Sequence, residues 1–167
     1  MHLKSTSFAL ALLGTTAAAD VVVTFNESAP KDSFTITNTG DCRLEGIEVR
    51  IDLAGSAAGL IFDVTGAGAG VQVFQPLELV AGRDLLSNLP EVRDGDTALS
   101  LVVTSLEPTQ QIVFTIDVDD TAGRSETMVS GAEITGATAS VRLDGQNAVA
   151  NFDGTAKARV SWDGCNV

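Results

Sequence analysis

Asp117-Val118-Asp119-Asp120-Thr121 gathers three carboxylates and a hydroxyl at the end of an apolar, alternating segment. Read by that alternation, Asp117 lies on the outer face of a strand that then runs into two further acids. Hard cations such as calcium take about six to eight oxygen ligands, and carboxylates at alternate positions of a strand end offer several on one side. Asp117, Asp119 and Asp120 are therefore candidate metal ligands. Asp94, Asp96 and Asp52 join them if the Asp94-Gly95-Asp96 turn and the end of an earlier strand fold to the same edge. The cofactor this chemistry points to is calcium. The chain has neither an EF-hand loop nor a glycine-rich nonapeptide repeat, so the reading rests on charge, and acidic turns that only cap strand ends are its alternative.

Other chemistries are thinly supplied. The single histidine is His2, tyrosine is absent and there are two cysteines. A chain trimmed of its first residues cannot assemble a Ser-His-Asp or Cys-His site, nor the Cys/His ligands of a typical zinc or copper centre. A carboxylate pair could serve as a glycosidase acid and base, but that role depends on a separation across a cleft. No catalytic residue is assigned, and the chain reads as a non-enzyme. Gly66-Ala67-Gly68-Ala69-Gly70 is followed by the strand-like Val71-Gln72-Val73-Phe74 rather than by a helix, so it reads as a loop and not as a dinucleotide fingerprint. Asn26-Glu27-Ser28 matches a glycosylation sequon. Trp162, near the tail cysteine, reads as a core plug over a disulfide.

The elements that must carry these residues are strands. Ile47, Val49, Ile51 and Leu53 alternate with Glu48, Arg50 and Asp52; Ile112, Phe114, Ile116 and Val118 alternate with Val113, Thr115 and Asp117; Leu99, Leu101 and Val103 form a third such face. Further strands are expected over Val21–Phe25, Phe34–Asn38, Leu60–Val64, Val71–Phe74, Leu77–Val80, Ala137–Leu143, Ala148–Phe152 and Ala158–Trp162. Turn chemistry separates them at Asn38-Thr39-Gly40-Asp41, Asp94-Gly95-Asp96, Asp144-Gly145-Gln146 and Asp153-Gly154-Thr155. The expected fold is all-β, an antiparallel β-sandwich or jelly roll of about ten short strands. Helix is confined to a turn or two at Ala54–Ala58 and Asp84–Leu89.

Residues 1–19 carry Lys4, the apolar run Phe8 to Leu13 and Ala17-Ala18-Ala19, the order of a cleavable secretory signal ending at Ala19. The run is too short to cross a bilayer, and the product, residues 20–167, is expected to be one domain, secreted or periplasmic. Net charge is −12 over 167 residues, which disfavours nucleic acid and anionic lipid and favours cations and basic partners. In an oxidising compartment Cys42 and Cys165 are expected to form an internal disulfide, with free thiols or a bridge to another chain as the alternatives.

Phe34-Thr35-Ile36-Thr37-Asn38-Thr39-Gly40, Ile51-Asp52-Leu53-Ala54-Gly55 and Phe62-Asp63-Val64 are followed by Phe114-Thr115-Ile116-Asp117-Val118-Asp119-Asp120 and Val129 to Thr138. In this order the segments resemble the bacterial aggregation factor core proteins, which are similar to the wreath domain forming the ring of sponge aggregation factor proteoglycans. The Phe-x-Ile-Asp-x-Asp and Gly-Ala-Glu-x-x-Gly-Ala blocks carry most of the likeness. The resemblance implies an extracellular adhesion module linked to calcium-dependent aggregation, with other copies of itself, in an oligomer or ring, or cell-surface components as partners. Nucleic-acid binding and membrane insertion are not expected. A carbohydrate- or other ligand-binding sandwich is the second reading, and a carboxylate-pair hydrolase the third.

Overall fold

The computed structural model describes residues 18–66, 74–122 and 129–165. Eleven strands run in order: β1 (Ala18–Asn26), β2 (Asp32–Asn38), β3 (Leu44–Asp52), β4 (Ile61–Phe62), β5 (Glu78–Ala81), β6 (Ala98–Leu106), β7 (Gln111–Ile116), β8 (Val118–Asp119), β9 (Thr138–Leu143), β10 (Gln146–Asn151) and β11 (Lys157–Asp163). They build a five-stranded sheet ordered β11-β1-β2-β7-β5, a four-stranded sheet ordered β10-β9-β3-β6 and a two-stranded ribbon of β4 and β8. Every pairing is antiparallel, and the architecture is sandwich-like and all-β.

The alternating apolar positions explain the layering. Val21, Val23, Phe34, Ile36, Ile112 and Phe114 from one sheet and Ile47, Val49, Ile51, Leu99, Leu101 and Val103 from the other are buried in a common core, as half-buried strands require. Phe34 on β2 stands opposite Phe25 on β1 and Phe114 on β7. Its ring centroid lies 5.1 Å from that of Phe25, 5.3 Å from Phe114 and 6.4 Å from Phe62 on β4. Phe62 thus anchors the small ribbon on the main core.

Several expected elements differ. Neither Ala54–Ala58 nor Asp84–Leu89 is α-helical; the first forms turns and the second only a 3-10 turn over Arg83–Leu85. The turns are enforced by close backbone approach, because a Cβ on Gly55 would meet the Gly136 carbonyl oxygen at 2.7 Å. The strand expected over Leu60–Val64 shrinks to Ile61–Phe62, and that over Gln111–Val118 breaks at Asp117. Residues 71–73 of the Val71–Phe74 strand, and residues 67–70 of the glycine-alanine loop, lie outside the described residues. So do residues 1–17 of the expected signal; Ala18 and Ala19 open β1, paired with Asp163 and Trp162. No described helix is long and apolar enough to cross a membrane.

Cys42 and Cys165 are bonded, with Cα atoms 5.9 Å apart across 123 residues. The bridge ties the β2–β3 connection to the end of β11. That connection is set by Asn38, fully buried, whose side-chain amide donates to the carbonyls of Cys42 at 2.8 Å and Leu106 at 2.9 Å and accepts from the Gly40 N–H at 3.0 Å.

Candidate metal centre

After Ile116 the chain leaves the β7 ladder, and the Asp117 N–H donates to the Gln75 carbonyl at 3.2 Å. Asp117 in turn accepts from the Asp63 N–H at 3.1 Å, and the Gln75 N–H donates to Asp63 at 3.3 Å. Gln75, in the chain just before β5, is therefore bonded to the backbone of both Asp63 and Asp117 at the end of the β4–β8 ribbon. This corrects the sequence reading of Asp117 as an outward residue: it is only 7 % exposed. The period-two rule separates the residue from the apolar face of Ile112, Phe114 and Ile116 but does not report that its own side is buried too.

Strand register then gathers carboxylates. Ile61 pairs with Asp119 and Phe62 with Val118, so Asp63 stands opposite Asp117, and Asp63, Asp117 and Asp119 project from one face of the ribbon. Asp32 opens β2 opposite Ile116. Its carboxylate accepts the Ser28 N–H at 3.0 Å and the Val118 N–H at 3.2 Å. All four side chains are buried, Asp32 and Asp63 to 2 % exposure and Asp119 to 5 %.

Burial in this setting penalises charge. The Asp32 carboxyl is raised from 3.8 to about 7 by desolvation, with Asp119 and Glu27 adding repulsion and its two backbone N–H donors opposing the rise. Asp117 is also raised to about 7, by desolvation first and then by Asp119, Asp32 and Asp63. Asp63 is raised to about 6 by desolvation, by a carboxyl–carboxyl hydrogen bond with Asp119 and by the charges of Asp119 and Asp94. The groups that act on one another here are all acids, the arrangement in which like charges hold a proton that a lone carboxyl would release.

Three carboxylate oxygens are also buried without a hydrogen-bond partner: Asp63 Oδ2, Asp117 Oδ2 and Asp120 Oδ1. An orphaned buried acceptor costs about 1–3 kcal/mol, a cost that a proton on the carboxyl or a cation beside it would offset. The donors are hard oxygens, which suit calcium rather than zinc. Among the described residues, no three carboxylate, imidazole or thiolate groups stand close enough to hold an ion as they are.

The other sequence candidates occupy different positions. Asp94 is beside the cluster, where its charge acts on Asp63, and its carboxylate accepts the N–H groups of Val64 at 2.7 Å and Thr65 at 2.6 Å. Asp96 closes its own turn by accepting the Arg93 N–H at 2.8 Å. Asp52 is not brought to the site; its carboxylate accepts from Arg50 Nη2 at 3.1 Å and the Ala54 N–H at 3.0 Å.

Asp32 and Asp63 are the members that sequence reasoning did not assign as ligands. Asp63 had a signal, since it interrupts the apolar run Leu60-Ile61-Phe62-Asp63-Val64, where a carboxylate must be either a break or a site. Asp32 had none, because its role as acceptor for the Val118 N–H depends on a partner 86 residues away.

Trp162 packs half-buried against the core with its indole N–H buried and without a partner, and the residue borders a pocket of about 80 Å³ formed with Val141, Leu143, Gln146, Asn147 and Ala148. No known protein family, no characterised protein and no solved structure matches the chain.

Proposed function

We propose that this chain is an exported adhesion- or matrix-type structural module of the aggregation factor core kind, completed by a calcium ion at the buried aspartates around the β4–β8 ribbon. The observation that carries the reading is the set of orphaned, desolvated oxygens on Asp63 and Asp117 beside Asp119 and Asp32. Apolar packing alone would favour uncharged side chains there, whereas a divalent cation satisfies charge and geometry together. The Cys42–Cys165 bond suits an oxidising exterior. Two edge strands supply exposed apolar residues against which another copy or a surface can pack, Val80 on β5 at 64 % exposure and Val149 on β10 at 57 %.

Beads coated with the oxidised chain test the proposal. They should clump in millimolar calcium and disperse in chelator; beads that stay dispersed in both would reject the adhesive role. The pocket that Trp162 borders favours a second reading, a small-ligand module. Because Trp162 is the only tryptophan, its fluorescence would report such a ligand directly.

A further inference from the structure

Resting on the self-association in the reading above, we infer that the partner is a second copy of this chain, paired antiparallel along the open edge of β10 about a two-fold axis at Val149. The two large sheets end on four strands, β11 and β5 in one and β10 and β6 in the other. Three of these carry features that keep a strand edge from pairing. β11 presents exposed Lys157, Arg159 and Asp163. β5 has only four residues, opens on Glu78 and shifts register between Leu79 and Ala81. β6 is partly covered, by the bridge from Leu86 to Val103 and by the Ser87 N–H, which donates to the Val102 carbonyl at 3.0 Å. β10, by contrast, reads Gln146-Asn147-Ala148-Val149-Ala150-Asn151, with no charge, no proline and an unbroken register.

The hairpin decides which groups that edge exposes. Asp144 and Gly145 have φ of 47° and 82°, a two-residue turn that makes the residues flanking it, Leu143 and Gln146, a hydrogen-bonded pair. Alternation then turns the backbone groups of Gln146, Ala148 and Ala150 toward β9, and Phe152 continues the series by donating to the Ala137 carbonyl at 2.8 Å. The N–H and C=O groups of Asn147, Val149 and Asn151 point the other way, where among the described residues no strand pairs with them. Their side chains share the exposed outer face, Val149 at 57 %.

Laid antiparallel on itself about Val149, the strand sets Asn147 opposite the partner's Asn151 on both sides of the axis. Each of the three residues then exchanges both backbone bonds with its opposite, about six bonds in all. Val149 gains an apolar neighbour, the asparagine amides come within reach of one another, and no like charges meet. That neutrality selects this edge in a chain of net charge −12, whose copies repel one another elsewhere. The contact is isologous and closes at two copies. A single strand edge buries well under the roughly 1,200 Å² of a stable interface, so the dimer is weak and tightens as salt screens the net charge.

Sedimentation equilibrium of the oxidised chain in chelator tests the pairing. Association should tighten about threefold or more between roughly 0.02 and 0.3 M salt. V149K puts two like charges on the axis and should abolish the dimer, although it lowers the net negative charge. N147K/N151K sets lysine opposite lysine and should do the same, whereas N147K/N151E sets lysine opposite glutamate and should tighten association about threefold or more at low salt. These side chains are all exposed, so each variant should melt with the parent. A dimer that V149K and N147K/N151K leave intact overturns the pairing. A chain that stays monomeric at every salt concentration while its beads clump overturns the pairing and leaves the adhesive reading standing. A dimer that V149K removes, from a chain whose beads never clump, upholds the pairing and rejects the adhesive role.

Discussion

Raising the pH from 5 to 8 in chelator should weaken this fold, the reverse of what most acidic proteins show on leaving their acid limb. The perturbation acts on Asp32 and Asp117, each raised from 3.8 to about 7, and on Asp63, raised to about 6. The charged groups that raise them further, Asp119, Glu27 and Asp94 together with one another, are all acidic. Because the folded chain holds these protons more tightly than the unfolded chain, protonation stabilises the fold. That contribution is complete below about pH 4 and disappears as the pH rises through 7. For one group shifted this far the whole effect is about 4 kcal/mol, more than half of which lies between pH 5 and 8. A second coupled group adds to it by less than the same amount again. In urea denaturation followed by circular dichroism, the midpoint should fall by roughly 1 M or more across that range. D117N should remove part of the fall, and saturating calcium should reverse its sign, since the ion binds the deprotonated carboxylates. A midpoint that is flat or rises from pH 5 to 8 in chelator would refute the buried-acid account, whatever calcium does.

Three further outcomes follow from the packing. The C42S/C165S double variant, which opens a loop spanning 123 residues, should lose about 5 kcal/mol in the chain-entropy account, read as the difference in unfolding free energy from the oxidised parent. Gly136 has φ +92°, and a Cβ there would stand 2.6 Å from the Gly55 carbonyl oxygen, so G136A should cost roughly 2 kcal/mol or more; an unchanged melting temperature would contradict the close contact. N38A removes three hydrogen bonds from a fully buried amide and should cost about 3 kcal/mol, visible as faster proteolysis of the β2–β3 connection.

The sandwich was legible because period-two alternation is a local signal that reports burial on one face. Ile47, Val49, Ile51 and Leu53 are all fully buried, as are Ile112, Phe114 and Ile116. The two family-like blocks also have physical causes in the fold. In Phe114-Thr115-Ile116-Asp117-Val118-Asp119, the apolar members fill the core and the two aspartates enter the acid cluster. In Gly131-Ala132-Glu133-Ile134-Thr135-Gly136-Ala137, the carbonyls of Glu133 and Thr135 accept the Ala58 and Ala57 N–H groups while Gly136 meets Gly55. What was not legible depends on long-range approach. No local pattern announces that Gln75 bonds the backbone of Asp63 and Asp117, or that Asp32 accepts from Val118.

Alternation fails at the acid cluster, and the manner of its failure separates a site from an accident of packing. Elsewhere an acid falls on a wet face or gains a base: Glu48 faces Arg142 across the β3–β9 pair, and Asp20 meets Arg159 across β1–β11. Around β4 and β8 the sequence instead buries Asp63, Asp117 and Asp119 together, while the bases of the ion pairs found among the described residues are spent on acids at the surface. A sequence selected only for packing would place apolar or amide side chains at such positions, because adjoining buried carboxylates repel one another and leave acceptors unsatisfied. Local rules broken in this way are expected at functional positions. For adjoining buried carboxyls the remedy is a proton in acid and, under the calcium proposal, a divalent cation at neutral pH. The pH slope in chelator and its reversal by calcium are therefore two readings of one cluster, and D117N should diminish both.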